Sequence, residues 1–315
     1  MTLKDIAKQT GYSASTVSRA LNHDPRISAE ATQIIQKVAT ATGYTKDFAA
    51  LNLNNRESNI LAVVFPPENL MNVNNPFYVE IIKQANYIAS KHGYMVSVVM
   101  AKSMAALQRE VSTMITSGKV RKYILLYNLP KDPVTQHLKK NGVRFVVIGD
   151  PHDATVTFVD NDNYAVGVAV AEQKFTQFQP LVPAYIYSNQ RWQYEVDRLK
   201  GLKHVFAKRG VALTEFTFDQ QNLAAASQAF RQLLRQHNLL IISSDDLLIQ
   251  LYGLLHHQQP VQIISFNNSD FIQPISEHIQ SVDLQPQKMG EVAAKILFKP
   301  ENKKISQANY IDFRL

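Results

Sequence analysis

The residue types that perform catalysis are present in this chain, but not in the arrangements catalysis needs. His256 and His257 are adjacent, whereas two imidazoles must sit about one helical turn apart to aim at one metal ion, and no neighbouring motif completes a ligand set. There is no G-x-S-x-G elbow, no P-loop and no G-x-G-x-x-G turn, and 11 glycines in 315 residues leave little material for loops that cradle phosphate. Cysteine is absent, which removes thiolate ligands, cysteine nucleophiles and disulfides. Asp160 and Asp162 could be drawn as an acid and a base, yet nothing around them favours proton transfer over binding. No catalytic residue, metal or cofactor is therefore expected. Binding chemistry remains, and near the N-terminus it has a pattern. Ala14, Ser15, Ser18 and Arg19 share one side of a segment whose other side carries Val17, Ala20 and Leu21. Small and polar groups with one arginine, on the exposed face of a helix, suit the DNA major groove.

The elements that must hold that face are legible around it. Leu3, Ile6 and Ala7 recur at helical spacing, with Lys4, Asp5 and Lys8 on the other side, so a first helix precedes the one bearing Arg19. Gly11 breaks between them, since glycine tolerates the positive φ of a sharp helix exit, and Ser13 is placed to cap the second helix. A third helix is expected from Ser28 to Thr42, with Ile34 and Val38 facing the first two. Thr45 to Ser58 is a polar, asparagine-rich linker with a short apolar patch, long enough for one or two helical turns that would need a partner to persist.

The string TLKDIAKQTGYSASTVSRALN, continued by Ile27-Ser28 and by Gly43-Tyr44 after the third helix, closely resembles the N-terminal helix-turn-helix of the lactose/galactose repressor (LacI/GalR) family of bacterial transcription factors. The resemblance implies that Ala14, Ser15 and Arg19 face base edges, with Arg19 the guanine reader, and that Ser13, Thr16, Ser18, Asn22, Arg26 and Tyr44 contact the DNA backbone. It also implies a hinge helix in the linker that enters the minor groove when a dimer docks, with Leu53 as the wedge and Ala50 one turn earlier. Lys46-Asp47 and Leu51-Asn52 depart from the family's usual residues in the hinge.

Beyond Asn59 the rhythm changes. Apolar runs at Ile60 to Phe65, Met95 to Met100, Tyr123 to Tyr127, Val143 to Ile148, Ala184 to Tyr187, Leu239 to Ile242 and Val261 to Phe266 are too short for ordinary helices. They alternate with helical segments such as Tyr78 to His92, so the expected fold is a small all-α helix-turn-helix headpiece followed by an α/β core of two doubly wound parallel-sheet lobes. This is the periplasmic-binding-protein-like architecture of the resembled family. The expected division is a headpiece over 1–46, a hinge over 47–58 and a core over 59–315. Within the core, one lobe is expected to take about 59–160 and 283–307, and the other about 161–282 and 308–315.

In such a core the ligand lies between the lobes, outside the carboxyl ends of the strands. The resemblance places there Asn75 and Phe77 at the start of the first core helix, Asp160 at the crossover, and Arg198, which forms an R-x-x-G pattern with Gly201. An arginine fork gives two directed hydrogen bonds to vicinal hydroxyls or to a carboxylate; a surface ion pair with Asp197 or Glu195 is the competing role. Trp192, the only tryptophan, could stack on a sugar ring or simply pack. Asp162 is better placed to cap a helix. Asp245 follows a strand, where it accepts sugar hydroxyls or caps its own helix. Ser265-Phe266-Asn267-Asn268 stands where the family usually has an acidic Gly-Phe-Asp-Asp or Gly-Phe-Asp-Asn; Asn267 keeps the size, loses the charge and gains an amide donor.

The formal charge of +7 favours polyanions, although residues 1–60 carry seven Lys/Arg against five Asp/Glu, so pattern rather than charge argues for DNA. No stretch approaches the roughly 20 apolar residues that cross a membrane, and the N-terminus has no secretory pattern, so a cytoplasmic protein is expected. The expected molecule is a homodimer, with no leucine heptad tail after Tyr310 to Phe313, that binds a pseudopalindromic double-stranded operator. A small-molecule effector, a sugar or sugar derivative, sets its affinity. Repression of carbohydrate-utilisation genes is the default, and corepression the variant. The reading from another class is a cytoplasmic sugar-binding or enzymatic α/β protein whose N-terminal helices serve dimerisation.

Overall fold

The computed structural model describes residues 2–21, 24–44, 57–68, 75–177, 180–219, 222–255, 261–272, 274, 279–300 and 307–315. Asn22, Ala50, Leu53 and the His256-His257 pair lie outside them. The chain divides into two compact units, Met1–Ser58 and Asn59–Leu315.

The first unit holds three helices, α1 (Leu3–Thr10), α2 (Ala14–Leu21) and α3 (Ala29–Ala41). Their ends follow from local hydrogen bonds. Thr2 and Asp5 form a reciprocal cap on α1, in which the Thr2 N–H donates to the Asp5 carboxylate at 2.7 Å. Gly11, at φ 73, closes α1 by donating to the Ala7 carbonyl. Ser13 Oγ accepts from the Thr16 N–H at 3.1 Å at the start of α2, and Ser28 caps α3. Ile6, Val17, Ala20, Ile35 and Ala39 make the core. Ile34 does not join it, contrary to the expectation from sequence: it is 43% exposed. The buried stripe of α3 runs Ala31, Ile35, Ala39, one position further round the helix, and Val38 packs only at its edge.

The second unit contains two parallel sheets. The first runs β11-β5-β4-β3-β1-β2, built from β1 (Ile60–Val64), β2 (Met95–Val99), β3 (Lys122–Leu125), β4 (Arg144–Ile148), β5 (Phe158–Asp160) and β11 (Ala308–Tyr310). The second runs β10-β9-β8-β6-β7, from β6 (Pro183–Ser188), β7 (Thr214–Phe218), β8 (Leu239–Ile242), β9 (Gln262–Phe266) and β10 (Ile279–Val282). Side chains alternate across each sheet. Leu61 and Val63 join an apolar layer with α4 (Pro76–Lys91) and α11 (Pro286–Phe298), while Ala62 and Val64 join the opposite layer with α5 (Met104–Thr116) and α6 (Pro133–Lys140). In the second lobe Tyr185 and Tyr187 face α7 (Asn163–Gln177) and α8 (Gln193–Lys208); Ala184 and Ile186 face α9 (Leu223–Leu234) and α10 (Asp245–Leu255). Strands buried on both faces need near-continuous apolar runs, which is why the runs stand out in the sequence.

The C-terminal segment corrects the expected lobe boundary. Residues 308–315 do not all belong to the second lobe, because Ala308–Tyr310 pairs in register with Phe158, Val159 and Asp160 and forms the edge of the first sheet. The chain then returns: Phe313 packs on the second lobe's core, and Arg314 bridges to Asp283. Three strands of chain thus pass between the lobes, near 160–163, 283–285 and 311–313. No described helix is long and apolar enough to cross a membrane.

Candidate functional site

In the first unit, α2 presents Ala14, Ser15 and Arg19 as exposed side chains and Ser18 as a half-buried one, with Val17 and Ala20 fully covered beneath them. At its N-terminus Ser13 Oγ lies 2.8 Å from both Ser15 Oγ and Thr16 Oγ1. These hydroxyls and the free N–H groups of the first turn form a surface suited to a phosphate. Arg26 is engaged by Asp24, with Nε at 2.9 Å and Nη2 at 2.6 Å from the carboxylate, and this holds the Asp24 carboxyl well below the usual carboxylate range. A phosphate contact from Arg26 requires that pair to open. Tyr44 packs its ring against the headpiece core, which leaves its hydroxyl end as the part able to reach DNA.

In the core, a cavity of about 650 Å³, open solvent at its mouth included, lies between the lobes at the carboxyl ends of the strands. Asn75, Phe77, Asp160, Trp192, Arg198 and Asn267 all line it, so six of the seven residues expected there come together. Asn75 caps α4 by accepting from the Phe77 N–H at 3.0 Å. Asp160 ends β5 and accepts from the Asp150 and Asn161 N–H groups and from the Asn163 amide, at 2.9, 2.8 and 3.1 Å. Burial pushes its carboxyl up to about 6, against the pull of these donors and of Arg198.

Arg198 is 3% exposed and makes no ion pair with Asp197 or Glu195. Nε donates to Asn163 Oδ1 and Nη1 to the Ser243 carbonyl, both at 2.9 Å, while the rings of Tyr194 and Phe266 lie 4.9 and 4.4 Å from the guanidinium carbon. Its Nη2 has no hydrogen-bond partner among the described residues. Beneath it, buried Glu195 accepts from Ser243 Oγ at 2.7 Å and from the Trp192 N–H at 2.8 Å, which ties the arginine's support to the tryptophan's position. Burial raises the Glu195 carboxyl above its ordinary range.

Asp245 corrects the seventh expectation. It is fully covered and does not line the cavity; its carboxylate accepts from Ser265 Oγ at 2.5 Å, Ser281 Oγ at 2.7 Å and the Ser269 N–H at 2.8 Å. Four neighbouring donors and acceptors of its own lobe consume its bonding capacity, so it braces the loop that carries Asn267 instead of reaching ligand. Its neighbour Ser244 lines the cavity and caps α10. Asp162 accepts from the Ala165 N–H at 2.9 Å and so caps α7. Asn267 sits at φ 111, a conformation that side chains other than glycine rarely adopt and asparagine tolerates best. Sequence reasoning missed Ser244, Tyr127, Asn128, Asn161 and Tyr194, which also line the cavity. Among the described residues, no three His, Cys, Asp or Glu side chains cluster as a metal ion would need.

An aromatic and hydrogen-bonding cleft behind a helix-turn-helix has clear counterparts. The family model for bacterial regulatory proteins of the lacI family matches residues 2–47, and a periplasmic binding protein-like domain matches residues 172–309. The transcriptional regulator MalR of Staphylococcus xylosus is 27% identical over 310 residues, spanning 94% of this chain and 90% of its own. Catabolite control protein A of the same organism is 22% identical, over 99% of this chain and 96% of its own. Among solved structures, a complex of the regulator CelR with cellobiose superposes with a TM-score of 0.68 at 20% identity, covering 100% of this chain and 98% of that one. The lac repressor dimer bound to operator superposes with a TM-score of 0.76 at 14% identity, covering 100% and 97%. With both halves matched and relatives aligned along almost its whole length, the chain belongs to the LacI family of DNA-binding bacterial transcriptional regulators.

Proposed function

We propose that the protein is a cytoplasmic homodimeric repressor of carbohydrate-utilisation genes, released from a pseudopalindromic operator by a sugar bound between its core lobes. The observation that carries the sugar is the cavity itself. Phe77 and Trp192 supply apolar faces for a pyranose ring, while Asp160, Arg198 and Asn267 supply an acceptor, a fork of donors and an amide around it. The relatives named for maltose and the CelR complex with cellobiose favour a glucose-containing disaccharide. A sugar that binds the two relative positions of the lobes with different affinity shifts the dimer between them, and the hinges around Leu53 pair in only one.

The unpaired edge of the first sheet supports the dimer. Met95, Val98 and Met100 on and after β2 and Val79 and Tyr87 on α4 are large apolar side chains between 41% and 58% exposed. A second copy would cover them. On DNA, Ala14 and Ser15 meet thymine methyls or small base-edge groups, and Arg19 reads guanine. A gel shift with promoter fragments at fixed salt tests the whole reading: a discrete complex should form, weaken with maltose or cellobiose, and lose at least tenfold in affinity on Arg19→Ala. Undiminished binding by that variant would refute the reader's role.

A further inference from the structure

Asn161 sits where the three inter-lobe connections meet. Its side-chain Nδ2 lies 3.2 Å from the Leu284 carbonyl, 2.8 Å from that of Ile311 and 3.5 Å from that of Asp312, so one amide group touches the second and third connections from within the first. The orientation of the amide is settled by those neighbours, since exchanging oxygen and nitrogen would set an oxygen against three carbonyl oxygens. The residue is 2% exposed and lines the cavity beside Asp160. Its Oδ1 is buried and accepts no hydrogen bond from the protein. A buried amide oxygen without a donor is costly, and few such atoms persist in a folded protein without a purpose.

We propose that Asn161 Oδ1 is a ligand acceptor, taking a hydroxyl proton from the sugar in the cleft while its Nδ2 stays on the other two connections. This rests on the sugar reading above and deepens it. Asp160 and Arg198 are anchored in one lobe or the other, whereas Asn161 belongs to the hinge. A hydroxyl bonded there is therefore sensed at the point about which the lobes turn. The bond satisfies the orphaned oxygen only when the ligand lies at the base of the cleft, so it separates a fully seated sugar from one held at the rim.

The test is a thermodynamic cycle on the full-length dimer, using maltose and its monodeoxy analogues as probes, read by calorimetry on the wild type and on Asn161→Ala. One analogue should lose about tenfold against maltose on the wild type and nothing further on the variant, because the missing hydroxyl and the missing acceptor are the same bond. In wild-type protein labelled at asparagine side chains, maltose but not that analogue should shift the Asn161 carboxamide carbon, a readout that needs no variant to fold. Equal losses for every analogue on both proteins, with an unmoved carboxamide, would leave Asn161 a structural staple and overturn the contact. Absence of maltose and cellobiose binding to the wild type would overturn the disaccharide reading and this contact with it, a result visible before any variant is made.

Discussion

Arg198 and Asp160 are arranged before ligand arrives, and each carries a separate consequence. The arginine's two outward bonds, to Asn163 and the Ser243 carbonyl, leave one guanidinium nitrogen for the cleft. Arg198→Lys keeps a charge but not the planar fork, so effector affinity should fall by about ten- to a hundredfold while operator binding without effector persists, measured by calorimetry and gel shift in parallel. Asp160 predicts a pH dependence. Its carboxyl titrates near 6, and only the ionised form accepts from two ligand hydroxyls. Sugar affinity should therefore drop by about fourfold between pH 7.5 and 5.5, as the ionised fraction falls, and the dependence should flatten in Asp160→Asn. The stability term runs the other way. With its pKa raised on folding, the native state binds this proton more tightly than the unfolded chain, so the group's contribution is largest in acid and declines as pH rises through 6.

At the scale of elements, the R-x-x-G pattern divides into two jobs. Arg198 serves the cleft, and Gly201 lets α7 and α8 touch: a Cβ there would lie 2.2 Å from the Tyr164 carbonyl oxygen and 2.9 Å from the Val168 nitrogen. Gly201→Ala should cost about 3 kcal/mol in denaturant unfolding, because the obstacle is backbone that cannot step aside. The same scale explains what could be read in advance. Ile60 to Phe65 and Leu239 to Ile242 announce themselves because both faces of those strands are buried. TEFTF at β7 and the three residues of β11 do not, since edge strands are half-solvated or too short to set a period. In the cleft, Phe77 and Arg198 were legible through motifs. Ser244 was hidden beside a more conspicuous aspartate, and Tyr127, Asn128 and Tyr194 carry no local signal because only the fold brings their strand and helix ends to one place.

At the scale of the molecule, the proposed dimer makes the exposed β2 edge a requirement for DNA binding. Val98→Asp should yield monomers by sedimentation and reduce operator affinity by more than tenfold, since two half-sites are then read by unlinked headpieces. The β5 and β11 pairing has a consequence in time. The ribosome releases the first lobe's β1 to β5 early, but the strand that completes their sheet is encoded at Ala308–Tyr310, after the entire second lobe. Until those last residues emerge, β5 offers an unsatisfied edge to any neighbouring nascent chain. Folding of the first lobe is thus finished by the final moments of synthesis, and a ribosome that stalls a dozen codons short leaves behind an aggregation-prone intermediate in place of a weakened regulator.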